Sequence, residues 1–107
     1  MSVRISACYP AVEGGRFDFD YYAQQHVPMV FELLESYGCR GIQVDRGVAG
    51  GPGQPAPFAA IGHMEFDSVE GFQAGFKEHG RAIMADVPNY TDMTPVTQVS
   101  EVVVAFP

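Results

Sequence analysis

The chain has 107 residues, 47% hydrophobic and 18% charged, and its 13 Asp+Glu against 6 Lys+Arg give a formal net charge of −7. This length suits one domain able to bury roughly 65% of its unfolded surface, and the composition is that of a folded globular protein, not a disordered one. The basic residues do not cluster, which argues against nucleic acid and against an anionic membrane surface as partners, so the acidity is read as serving solubility.

Residues 2–9, SVRISACY, alternate, with Val3, Ile5, Ala7 and Tyr9 on one face, and predict a strand. A loop, PAVEGGR, leads into FDFDYYAQQHVPMVFELLESYG, which predicts a helix with Asp18 or Asp20 as N-cap and Gly38 as its stop. Pro28 interrupts it by removing a backbone donor, so a kink or two consecutive helices are expected. Steps of four, three, four and four residues place Tyr22, His26, Met29, Leu33 and Tyr37 on one stripe, an apolar face carrying one imidazole.

Residues 39–48 predict a second strand, residues 49–57, AGGPGQPAP, an exposed and mobile loop, and residues 58–66, FAAIGHMEF, a third strand. On the third strand Phe58, Ala60, Gly62, Met64 and Phe66 point one way, and Ala59, Ile61, His63 and Glu65 the other. Residues 67–87 predict a second helix with Ser68 as N-cap and Val69, Phe72, Phe76, His79 and Ile83 as its stripe, with Gly80 able to split it. After the loop PNYTDMT, the segment PVTQVSEVVVAF, residues 95–106, predicts a final strand.

No apolar run approaches the ~20 residues of a membrane helix, and the opening MSVRISACYP lacks the apolar stretch of a secretory signal, so a cytoplasmic location is expected. Cys8 and Cys39 follow no metal or redox spacing and read as small, mostly buried thiols; a disulfide is not expected in that compartment.

The order strand, helix, strand, strand, helix, strand is the ferredoxin-like βαββαβ arrangement of the α+β class. Right-handed crossovers put both helices on one face of the sheet. The other face is left bare and partly apolar, and so predicts a homodimer through the sheet faces.

Several stretches resemble the EthD family: FDFDYYAQQHVPMV with its Tyr-Tyr-x-x-x-His-x-Pro element, VDRGVAG, AIGHMEFDSVEGFQAGF and ADVPNYTDMTPVTQVSEVV. They run in order from about Tyr9 to Val103, so the resemblance spans nearly the whole chain as a single domain over residues 1–107. It implies a dimeric α+β barrel built from two ferredoxin-like subunits, with a small organic ligand held between sheet and helices. The family is named for a protein of bacterial ethyl tert-butyl ether degradation, encoded beside an oxidising system. Some fungal relatives look like decarboxylases or dehydratases of aromatic polyketides, and relatives in the wider superfamily oxidise phenols without a cofactor.

Two readings of His26 follow. It is a core histidine held by one hydrogen bond, or, with the family element that carries it, a general acid or base lining a pocket. Tyr22, one turn earlier, orients the ring or bonds a ligand oxygen, or else simply packs in the core. His63 pairs with Glu65 as an acid–base couple or lies at the dimer interface. His79 faces inward or offsets the helix dipole, and Asn89 is a turn residue or a polar contact at the pocket mouth. Leu33 contacts a ligand or, with Phe72 and Phe76, fills the space. Three histidines on three elements make no metal site, no cofactor is expected, and no Ser-His-Asp or Cys-His motif is present. Three functions stay open: a lyase, isomerase or cofactor-free oxygenase acting on a small hydrophobic or aromatic molecule; a non-catalytic binding or accessory dimer supporting a neighbouring oxidising system; and a structural dimer with a filled core.

Overall fold

The computed structural model describes residues 2–107. Four strands, β1 (Val3–Pro10), β2 (Cys39–Arg46), β3 (Phe58–Phe66) and β4 (Val96–Glu101), form one sheet in the order β2-β3-β1-β4. Every neighbouring pair is antiparallel. This is the ferredoxin-like α+β topology. Its central pair is β1 and β3, with Ser6 opposite His63 and Ala7 opposite Gly62. On the helix side, Val3, Ile5 and Tyr9 of β1 and Ala60 and Phe66 of β3 are buried, as the alternation of those segments requires. Among the described residues no helix is long and apolar enough to cross a membrane.

The first helical region is composite. Asp18 caps it, accepting a hydrogen bond from the Tyr21 amide at 3.0 Å. A single turn, α1 (Phe19–Tyr21), opens into a π-helical stretch, Tyr22–His26, and then into α2 (Val27–Leu34). The Val27 amide bonds the Tyr22 carbonyl, five residues back. Pro28 follows directly, in the first turn of α2, where its missing donor costs least. A 3-10 turn, Glu35–Tyr37, and the left-handed Gly38 (φ 102°) end the region.

The π turn shifts the buried stripe by one residue. The side chains buried against the sheet are Tyr22, His26, Val30 and Leu34, whereas Met29, Leu33 and Tyr37 are only half-buried. In a regular helix, four residues at strict four-residue spacing drift around the axis. The wide turn takes up one residue and keeps all four on the sheet side.

The second helix, α3 (Val69–Asp86), is continuous through Gly80, so the expected split does not occur. Ser68 caps it by accepting from the Gly71 amide at 3.0 Å. Gly75 is what lets α3 close on the first helix: a Cβ there would lie 2.9 Å from Leu34 Cδ2. Final-strand pairing stops at Glu101, short of the predicted 95–106. Beyond it only the Val102 amide bonds back, to the Ser2 carbonyl at 3.2 Å, and Val103, Val104 and Phe106 are exposed. Residues 49–57 are exposed apart from half-buried Ala56.

The helix-free face of the sheet is more polar than its alternation implied. Arg4 pairs with Glu65 at 2.6 Å, and His63 bridges Ser6 at 3.0 Å and Asp45 at 3.1 Å. Cys8, Ala59 and Ile61 supply its apolar part.

The register shift has a measurable consequence. Leu34→Ala should lower unfolding stability by ~2–5 kcal/mol, since Leu34 is fully buried, and Leu33→Ala by less than half as much. Urea midpoints at an unchanged m-value would measure both. Equal losses would mean that the stripe runs through Leu33 after all.

Candidate functional site

A cavity of about 320 Å³ lies between the helix-side face of the sheet and the helices. Ile5, Ile42 and Met64 wall it from the sheet, and Val30, Phe76 and Ile83 from the helices. Its polar side is a cluster of four rings, Tyr9, Tyr22, His26 and Tyr90, all lining the space. Met84, which is 47% exposed, and the exposed Thr97 mark the mouth, between the end of α3 and β4.

The rings hold one another at close range. Tyr22 stacks on His26, with centroids 5.4 Å apart and planes at 15°, and Tyr90 packs against both at 4.7 and 4.6 Å. Tyr22 reaches its place because position 62 is glycine: a Cβ there would stand 2.5 Å from the Tyr22 hydroxyl. Small size at that point of β3 sets how deep the tyrosine sits.

Behind His26 stands Asp86, the last residue of α3. His26 Nδ1 donates to Asp86 Oδ2 at 2.8 Å, while Oδ1 accepts from the Tyr21 hydroxyl at 2.7 Å and from Asn89 Nδ2 at 2.9 Å. Burial alone would raise the carboxyl, but the donors Tyr21, Asn89 and His26 outweigh it and hold Asp86 below the ordinary aspartate value of 3.8. An ionised carboxylate only accepts, so the imidazole carries its proton on Nδ1. Burial lowers His26 below its ordinary 6.5, with Asp86 acting in the opposite direction. The two effects oppose each other across one bond. We take the net direction as downward, because the ring is only 5% exposed and Asp86, at 16% side-chain exposure, remains partly screened by water. The result is a neutral imidazole with a bare Nε2 on the cavity side, 3.5 Å from the Tyr90 hydroxyl. Tyr90 and Tyr9 share a short hydroxyl contact of 2.6 Å. Desolvation raises both phenols, and Tyr22 with them, so all three stay protonated.

Of the residues singled out from the sequence, His26 and Tyr22 line the cavity, and Asn89 reaches it only through Asp86. The other three lie off its wall. His63 is on the opposite sheet face and bonds its cross-strand neighbours Ser6 and Asp45, while Glu65 is taken by Arg4. His79 stands edge-on to Tyr37 at 5.8 Å. Leu33 packs on the core cluster around Leu34, displaced from the cavity by the π turn. Asp86, Tyr90 and Tyr9 were not singled out. Asp86 and Tyr90 lie in the stretch ADVPNYTD, where an acidic residue at a helix end reads as solvated. Cys8 and Cys39 are free, and among the described residues no group of His, Cys, Asp and Glu is placed to hold a metal ion.

A four-stranded antiparallel sheet with both helices on one face and a ring-lined cavity between them defines a ferredoxin-like protein with a small-molecule-sized pocket. The model of the EthD domain matches residues 16–94, and the chain belongs to the EthD family. It is similar to the crystal structure of an EthD-like protein from Ralstonia eutropha JMP134, at 42% identity over 96% of this chain and 93% of that one, with a TM-score of 0.90. An ethyl tert-butyl ether degradation family protein from Bacillus halodurans C-125 follows, at 25% identity over 94% and 98% of the chains and a TM-score of 0.72. A dimeric ferredoxin-like protein from an uncultured marine organism shares the fold at 14% identity, over 100% and 99% of the chains, with a TM-score of 0.61. None of the curated proteins compared with the chain matches it.

The His26–Asp86 pair gives stability a definite pH dependence. His26 binds its proton less readily folded than unfolded, so as pH falls through about 6.5 the unfolded state takes up more protons and stability falls. Asp86 adds a further loss once pH drops below its ordinary 3.8. Chemical denaturation between pH 7 and 5 should therefore show a decline that His26→Phe flattens. A decline of equal slope in the variant would mean that the imidazole titrates normally.

Proposed function

We propose that the protein binds a small hydrophobic organic molecule in this cavity and that His26 acts there as a general base, and as an acid on the return step, with Tyr22 holding its ring plane. The observation that carries this reading is the neutral imidazole whose Nδ1 is committed to Asp86 and whose Nε2 faces an otherwise apolar space. A base of this kind works best when its affinity for protons lies near the working pH and its tautomer is set from behind. Proton removal and return at one atom suffice for a lyase or isomerase reaction. Two free thiols fit a reducing, cytoplasmic setting.

His26→Phe keeps the ring's bulk and leaves Asp86 two donors, so the fold should survive with a loss of ~1–3 kcal/mol. Ligands found by thermal shift among single-ring and bicyclic apolar compounds should still bind the variant, while their conversion falls ~10²–10⁴-fold. Binding without conversion by the wild type would leave the accessory, carrier role instead.

The same reading includes a homodimer through the helix-free sheet face. Supporting it are the absence of cover on that face, its apolar centre of Cys8, Ala59 and Ile61, and the dimeric state of the ferredoxin-like marine protein. Sedimentation at micromolar concentration should give a dimer, and Ile61→Glu, a charge at the centre of the face, should give a folded monomer. A monomeric wild type would refute the assembly.

A further inference from the structure

The polar side of the cavity is connected in one direction. Asp86 fixes the His26 proton on Nδ1, so Nε2 can only accept, and the hydroxyl facing it is that of Tyr90. A phenol has one proton to give. If Tyr90 gives its proton to Nε2, the 2.6 Å contact with Tyr9 must be made by the Tyr9 proton. Tyr9 is then left with lone pairs only, turned toward the cavity and the neighbouring Tyr22 hydroxyl. Tyr9 lines the cavity at 3% exposure, and Tyr90 is fully buried. Among the described residues no Lys, Arg, Asp or Glu lines the cavity.

From this geometry, and resting on the general-base reading of His26, we infer that Tyr9 and Tyr90 form a two-hydroxyl relay through which His26 takes a proton from a ligand it does not touch, and that the ligand is an uncharged molecule with an apolar body and one acidic hydroxyl. The ligand O–H bond breaks and its proton passes to the Tyr9 oxygen. Tyr9 passes its own proton to Tyr90, and Tyr90 passes its own to His26 Nε2. The ligand is left as an oxyanion and His26 as an imidazolium against the Asp86 carboxylate. No tyrosinate is formed in net terms, which suits phenols whose burial disfavours ionisation. Reversal of the chain also turns the Tyr9 hydroxyl into a donor toward the new oxyanion, so the groups that carry the proton away then stabilise the charge it leaves. An anionic ligand would enter with no counter-ion on the wall, and a hydrocarbon would bring the Tyr9 oxygen no proton to accept. The 3.5 Å step between Tyr90 and His26 has to close for transfer, as catalytic hydrogen bonds commonly do once a site is filled.

4-Nitrophenol is a suitable probe because its absorbance reports its protonation state. With the full-length protein held at a pH one unit below the probe's own pKa, calorimetry would give affinity and the visible spectrum the bound form. The wild type should bind it as the phenolate. Tyr90→Phe and Tyr9→Phe should still bind it, up to about tenfold more weakly, with the phenolate-to-phenol ratio at that pH about tenfold lower, a rise of about one unit in its apparent pKa. Should Tyr90→Phe fail to fold, Tyr9→Phe, which leaves the Tyr90–His26 contact in place, decides alone. Phenolate retained in the tyrosine variants but lost in His26→Phe overturns the relay and leaves His26 as a direct base. A neutral bound probe in the wild type overturns both the relay and the general-base reading, and a wild type that does not take up the probe at millimolar concentration overturns the ligand class and the relay with it.

Discussion

The Asp86 carboxylate is the point at which the two helices and the cavity are tied together. It sits on the last turn of α3, where a negative charge faces the unfavourable end of the helix dipole and is partly desolvated as well. Three donors compensate it: Tyr21 from the first helical turn, His26 from the π stretch, and Asn89 from the 3-10 turn after α3. Tyr21 and His26 are five residues apart. In an α-helix they would point in well-separated directions, but a π turn stacks residues at that spacing. The irregular helix is therefore what allows one carboxylate to collect both side chains. Pro28, placed just after it, removes the amide that a regular α-turn would use there.

The strands were legible in the sequence because their signal is local. Alternation along residues 58–66 named the limits of β3 and put His63 on the same side as Glu65, without saying which face of the sheet that side is. Of its two readings, the couple with Glu65 does not form, since Ser6 and Asp45 are brought to His63 by register across β1 and β2. Cross-strand neighbours lie closer than same-face neighbours two residues along one strand. The composite helix was half legible. Pro28 announced an irregularity but did not say that it would be a widened turn, and a 3.6-residue period then carried Met29 and Leu33 into places that Val30 and Leu34 occupy.

The site itself was legible only where a helical stripe carried it. His26 and Tyr22 stood out as an imidazole and a phenol on an otherwise apolar face. Asp86, 60 residues from His26, has no local mark to separate it from a solvated charge at a helix end, and Tyr9 and Tyr90, 81 residues apart, read as ordinary core tyrosines. What distinguishes all three is the line of contacts that joins them through His26, which only the crossover connections create. The same limit applied to the uncovered sheet face. The element order announced it correctly, but its polar ladder of Arg4, Glu65, Ser6, His63 and Asp45 depends on pairing and could not be read from any one strand.

The space beside these rings weighs against a core that is simply filled. Packed side chains in its place would gain dispersion and lose wet apolar surface. At ~24 cal/mol per Å³, a cavity of about 320 Å³ corresponds to several kcal/mol, reduced because the mouth is open. That is a large share of the ~5–15 kcal/mol that a domain of this size has in total. Phe72 and Phe76 are near enough to have closed it, yet they form its wall. Glycine at position 62 widens the same region, drawing Tyr22 down onto the sheet instead of letting a side chain fill the gap. An apolar chamber kept open at this cost, with its polar groups gathered against a single buried histidine, is the arrangement expected where the missing packing is supplied by a guest molecule.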